Sequence, residues 1–135
     1  MKFNKKQYKV IDIAFQNLAL QGRATACWAV YRRNAVHAIK QVWRVPNTMH
    51  DEVVHLQRAN AKMVKYVPTL LGWEDVEIGG KIDSCVNNRG DWFQTHDCIR
   101  SRLLLKEYGE PLWSFVTRFE LFSGFLHCAY GKYCT

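Results

Sequence analysis

Hydrophobic and polar positions change rhythm several times along this chain, and each change marks an element. Residues 8–13 and 15–20 are short apolar, β-favouring runs, Gly22 breaks the pattern, and Cys27-Trp28-Ala29-Val30-Tyr31 resumes it. This predicts a strand, a glycine turn and a second strand. After the polar turn Arg32-Arg33-Asn34, residues 36–43 alternate as a third strand with Lys40 inside it. Pro46-Asn47-Thr48 then separates that strand from residues 49–66, where Val53, Leu56, Ala59 and Met63 recur at helical spacing. Thr48 is placed to cap this helix, Asp51 and Glu52 lie near the positive end of its dipole, and Pro68 marks its exit.

From residue 69 to 92 the apolar pieces are short and broken by Gly72, Gly79-Gly80 and Asn87-Asn88-Arg89-Gly90, so strands with exposed turns are expected. Residues 99–105 form a further strand. Tyr108-Gly109-Glu110-Pro111 ends it, and Pro111 suits the first turn of a helix through Leu112, Phe115 and Val116. Residues 119–130 predict a last helix that needs a surface to cover it. No internal repeat or linker divides the chain, and 135 residues that are 48% hydrophobic can bury one core.

Charge is unevenly spread. Residues 1–65 hold 12 Lys and Arg against Asp12, Asp51 and Glu52, a balance of +9, whereas the rest of the chain stands at −2. An anionic partner should prefer the first half, and charge alone does not choose among a nucleotide, a nucleic acid and an acidic protein. The five cysteines are an odd set with no CxxC pair, which argues against a disulfide framework and a standard zinc site. The Cys85, His96 and Cys98 spacing fits no common zinc pattern. Asp12, Gln16 and Asn17 interrupt the apolar stretch of a would-be signal peptide, no run is long enough to cross a membrane, and Cys134 is misplaced for prenylation. An intracellular protein, cytoplasmic or nuclear, is the expectation. Trp28, Trp43, Trp73, Trp92 and Trp113 fall in five separate segments without a basic-aromatic repeat, so base stacking on nucleic acid is not favoured. Arg89-Gly90-Asp91 reads as a tight turn and not an adhesion signal.

Three strands with a glycine turn between the first two, a Lys inside the third and a Glu on the next helix form the minimal pattern of a kinase small lobe. There a flexible loop lies over phosphates, the Lys ammonium meets phosphate oxygens, and the helix carboxylate holds the Lys. The matching residues are Gly22-Arg23-Ala24-Thr25-Ala26-Cys27-Trp28, Lys40-Gln41-Val42-Trp43-Arg44, Glu52, Val67-Pro68, residues 100–112, Phe115 and Glu120-Leu121. In that order and spacing, residues 10–127 resemble the fungal-type protein kinases. The resemblance implies an α+β fold, with residues 1–107 as a kinase-like small lobe, an antiparallel sheet plus one helix. Residues 108–135 would then be the hinge and the beginning of a truncated large lobe.

It also implies a nucleotide site. Gly22, Ala24 and Thr25 would lie in the phosphate loop, Lys40 would contact phosphates and pair with Glu52, and Val30 and Ala38 would line the pocket. Backbone near Glu107 to Gly109 would meet the adenine edge. The loop keeps only Gly22, with Ala24 where the family has Gly, so weakened ATP binding is expected. Phosphoryl transfer further needs a catalytic-loop Asp, an Asn for metal and an Asp-Phe-Gly motif. These residues contain none of them, since His96-Asp97 precedes the hinge and has no downstream Asn. ATP without autonomous transfer is the expectation, with Mg²⁺ only where a complete large lobe exists. The alternative is a non-catalytic module that binds an acidic protein or nucleic acid through the basic half. Phe119, Phe122, Phe125 and Leu126 are expected to meet a protein partner or a second copy.

Overall fold

A computed structural model describes residues 1–17, 24–46, 51–89, 97–109 and 114–133. Its centre is a five-stranded antiparallel sheet ordered β3-β4-β5-β9-β6, and the fold is α+β. These strands are β3 (Lys9–Gln16), β4 (Ala26–Arg32), β5 (Ala35–Arg44), β6 (Leu70–Asp75) and β9 (Ile99–Leu105). The run at 8–13 and the beginning of the run at 15–20 thus contribute to one strand, with register shifts between Val10 and Asp12 and between Ile13 and Phe15, while residues 18–20 lie outside the described residues. Arg33 and Asn34, both at positive φ, make the two-residue turn that pairs Arg32 with Ala35. That turn type matches the twist of the strands it joins, and the Tyr31 hydroxyl donates to Asn34 Oδ1 at 2.8 Å.

Each face of the sheet has its own cover. On one face Val30, Ile39 and Leu104 pack with Phe3 and Tyr8, which belong to an N-terminal hairpin of β1 (Lys2–Phe3) and β2 (Lys6–Gln7). The hairpin is held by Met1, whose ammonium donates to the Tyr8 carbonyl at 2.7 Å and whose carbonyl accepts from Tyr8 N at 2.8 Å. Arg102 Nη1 donates to the Lys2 carbonyl at 3.2 Å, and Asn4 N donates to Glu74 Oε2 at 2.6 Å. The polarity of residues 1–7 hides this role, because only Phe3 of the hairpin strands is buried.

On the other face Val42 and Leu103 pack with Val53, Leu56 and Leu70, so α1 (Asp51–Ala61) lies there. The helix stops short of the sequence expectation. Val64 N reaches the Ala59 carbonyl and Met63 N the Asn60 carbonyl, both at 3.0 Å, while Met63 takes φ 53. This is a Schellman stop with Met in the left-handed position that usually holds Gly. Met63, expected on the packed stripe, is therefore 86% exposed.

Two further expectations are corrected. After the small hairpin β7 (Glu77–Ile78) and β8 (Lys81–Ile82), the stretch expected as strand and turn contains the short helix α2 (Cys85–Arg89). Its start is capped by the Ser84 hydroxyl, which accepts from Asn87 N, and by Asp97 Oδ1, which accepts from Val86 N. Phe115 and Val116 do not lie in a helix begun at Pro111. α3 (Arg118–Tyr133) starts after Thr117, whose hydroxyl accepts from Glu120 N at 3.2 Å while Glu120 Oε2 accepts from Val116 N at 2.9 Å. This reciprocal capping defines the start locally. Thr48, Pro111, Trp92, Trp113 and His96 lie outside the described residues. Among the described residues no helix is long and apolar enough to cross a membrane.

Candidate functional site

Strand alternation determines which side chains share the face of α1. Register places Lys40 opposite Cys27 on β4 and Leu103 on β9, and Ala38 opposite Ala29 and Leu105. Residues two apart on a strand point the same way, so Lys40, Ala38, Cys27 and Ala29 lie on one face. Lys40 Nζ donates to Glu52 Oε1 across 2.6 Å, from the sheet to the first turn of α1. Two of the three ammonium protons remain for other acceptors. The neighbouring Cys27, Ala29 and Ala38 are small, so the face beside the ammonium is apolar without being filled by long side chains.

Cys27 senses this pair. Burial raises its thiol above the ordinary range, the Lys40 charge pulls it back down, and Glu52 pushes it up. Farther along the same face a polar cluster closes the sheet. Arg44 Nη2 meets Asp75 Oδ2 at 2.6 Å, and Arg44 Nε donates to the fully buried Ser101 hydroxyl at 3.0 Å. Ser101 in turn donates to Asp75 Oδ1. This cluster spans β5, β9 and β6 and ties the strand carrying Lys40 to the far edge.

The other anticipated residues separate. Val30 is fully buried in the cluster of Phe3 and Tyr8, on the face opposite Lys40, and Ala29 stands across from Ala38 instead. The two-residue turn at Arg33 and Asn34 carried the signal, because pairing Arg32 with Ala35 also pairs Ala29 with Ala38. Ala24 and Thr25 lead into β4, with the Thr25 carbonyl accepting from Asn17 N at 2.9 Å, whereas Gly22 lies outside the described residues. At the end of β9, Lys106 N donates to the Thr69 carbonyl at 2.9 Å. Glu107 turns its carboxylate onto Thr69, accepting from the amide at 2.6 Å and the hydroxyl at 2.9 Å. Burial works to raise the Glu107 pKa, but the bonds from Thr69 outweigh it and hold the group low. Gly109 follows in the exposed segment after the sheet.

No three His, Cys, Asp or Glu side chains come together to hold a metal among the described residues. The arrangement offers a positioned cation beside an apolar sheet face.

A family model described as fungal protein kinase matches residues 1–98. It takes in Lys40, Glu52 and the strands around them, and ends just before β9. No curated protein and no solved structure matches the chain.

Proposed function

The chain belongs to the fungal protein kinase family, and from that premise we propose that residues 1–107 form a nucleotide-binding lobe that takes ATP weakly against the face carrying Lys40. Residues 108–135 continue as the hinge and the start of the second lobe. The observation that carries this reading is the 2.6 Å bond by which Glu52 on α1 holds the Lys40 ammonium at the sheet face. Lys40 would hold phosphate oxygens, Ala38 and Ala29 would pack on the base and sugar, and backbone from Glu107 to Gly109 would meet the base edge. Lys40 stands level with Leu103, four residues before Glu107, so the two ends lie about 13 Å apart along the strand direction, enough to take a nucleotide lengthwise.

The pair is suited to binding more than to stability. Lys40 and Glu52 side chains are 28% and 39% exposed, and an ion pair that open contributes at most about 1 kcal/mol to folding. A bound phosphate would gain a charge-assisted hydrogen bond worth roughly 1.5–3 kcal/mol. Mg²⁺ would need carboxylates from further residues of a complete second lobe. Without an Asp-Phe-Gly motif or a catalytic-loop Asp, these 135 residues bind nucleotide and do not by themselves transfer phosphate.

Thermal shift with ATP tests the reading. ATP at millimolar concentration is expected to raise Tm, and Lys40→Ala is expected to weaken the apparent affinity about 10-fold or more. No shift in the unsubstituted chain, together with salt-sensitive binding to anionic polymers, would replace this reading with an interaction module using the basic half. Phosphate transfer by the purified chain would contradict the catalytic part.

A further inference from the structure

Far from Lys40, two cysteines separated by 13 positions in sequence are brought to one rung at the entry to β9. Ser84 and Ile99 form an antiparallel bridge, flanked by Cys85 N donating to the Cys98 carbonyl at 3.0 Å and Arg100 N donating to the Asp83 carbonyl at 2.9 Å. Cys85 and Cys98 are the next opposed pair. The backbone hydrogen bond between them sets the two residues side by side, and a disulfide spans Cα atoms about 4.4–6.8 Å apart. The thiols are close enough that Cys85 contributes to the upward shift of the Cys98 thiol, after burial. Both residues are half-buried, which leaves them open to a small reagent while limiting access by a large one.

We infer that Cys85 and Cys98 form a reversible dithiol–disulfide site that responds to low-molecular-weight disulfides and staples α2 to β9. One cysteine thiolate attacks a sulfur of the small disulfide, forming a mixed disulfide and expelling one small thiolate. The second protein thiolate attacks the protein-bound sulfur, forms the Cys85–Cys98 bond and expels the other. The protein pair gives up two electrons and two protons, and the small disulfide becomes two thiols. Burial and the adjoining Cys85 hold the Cys98 thiol above the ordinary range, so the closing reaction quickens as pH rises.

The surroundings make closure a local event. Val86 N to Asp97 Oδ1 at 3.0 Å and Asn87 N to Ser84 Oγ at 3.1 Å already hold the flanking backbone. Beside them Asp83, 3% exposed, pairs with Arg100 at 2.6 Å and fixes the base of the bridge. Closure would join two residues whose backbones are already hydrogen-bonded to each other. Cys27 is placed differently, because the charges that act on it are those of Lys40 and Glu52.

The test is oxidation of the full chain with oxidised glutathione at pH 8, quenching with acid and mapping by trypsin. Cleavage after Lys81, Arg89 and Arg100 yields peptides 82–89 and 90–100, which the disulfide would hold together until reductant is added. The expected result is that linked pair, formed at least about 10-fold faster than any other cysteine pairing, with a Tm rise of about 5 °C or more that dithiothreitol removes. Cys85→Ser and Cys98→Ser should each abolish the linkage and the reversible rise, leaving a mixed disulfide on the remaining thiol. Separate, stable glutathione adducts on both cysteines of the unsubstituted chain, linkage to Cys27, Cys128 or Cys134, or no modification would overturn the inference. So would a linked pair without the Tm rise.

Discussion

Cys27 lies opposite Lys40 in the β4 and β5 ladder, and its thiol reports the field of the Lys40 and Glu52 pair. Alkylation of peptide 24–32 as a function of pH should give a Cys27 midpoint above that of an ordinary free thiol. Lys40→Ala removes the charge that lowers the midpoint and should move it higher still. Glu52→Gln removes a charge that raises it, leaves Lys40 in place and should move it lower. Opposite displacements in the two variants are the signature, and equal displacements would mean that Cys27 does not feel the pair. At this scale Lys40 and Glu52 were legible in the sequence as a strand Lys followed by a helix Glu, because strand and helix periods make both elements visible. Ala29 was not, although it shares the Lys40 face, because that assignment requires counting register through a specific turn. Val30, one position away, points to the opposite core.

Elements end where local bonds outcompete an apolar pattern, and α1 is the clear case. Val53, Leu56 and Ala59 fulfil the helical stripe, but Met63 at φ 53 stops the helix in a conformation that costs an L side chain roughly 1–2 kcal/mol. Met63→Gly should therefore raise folding stability by about 0.5–1 kcal/mol in urea titration, since the Met side chain is 86% exposed and little packing is lost. A fall in stability would mean that Met63 makes contacts its exposure does not reveal. Asn60 strengthens the same corner by donating to the Pro68 carbonyl at 3.0 Å and accepting from Leu70 N at 2.8 Å. The start of α3 shows the same rule from the other end: the Thr117 and Glu120 exchange determines it, although Pro111 is the more conspicuous helix signal.

Across the molecule, the two faces of the sheet are closed unequally. Phe3 and Tyr8 cover one face, α1 covers part of the other, and α3 carries Phe119, Phe122, Phe125 and Leu126 at 81%, 68%, 52% and 55% exposure. The helix touches the exit of α1 through a flat stack of His127 on Tyr66, with ring centroids 4.0 Å apart. Exposed apolar surface of this kind drives association, so the chain should self-associate through α3 in a concentration-dependent way. Light scattering should show mass rising with concentration, and a Phe119→Glu, Phe122→Glu variant should remain a monomer over the same range. A monomeric parent that binds no hydrophobic dye would refute this.

Sequence alone determined the elements whose chemistry is local: alternating runs that become β4, β5 and β9, the apolar stripe of α1, and the Lys40 and Glu52 spacing that places one on a strand and the other on the next helix. Those features depend on periods of two and 3.6 residues and survive in any context that buries one side. Tertiary structure alone decided the pairings that depend on distant register. It put Val30 behind the sheet and Ala29 in front, folded the polar N-terminus over a core through Phe3, and set Cys85 beside Cys98 at the entry to β9. The reason is physical: a one-residue change in register moves a side chain to the opposite face, and contacts across tens of residues follow from closing the whole sheet.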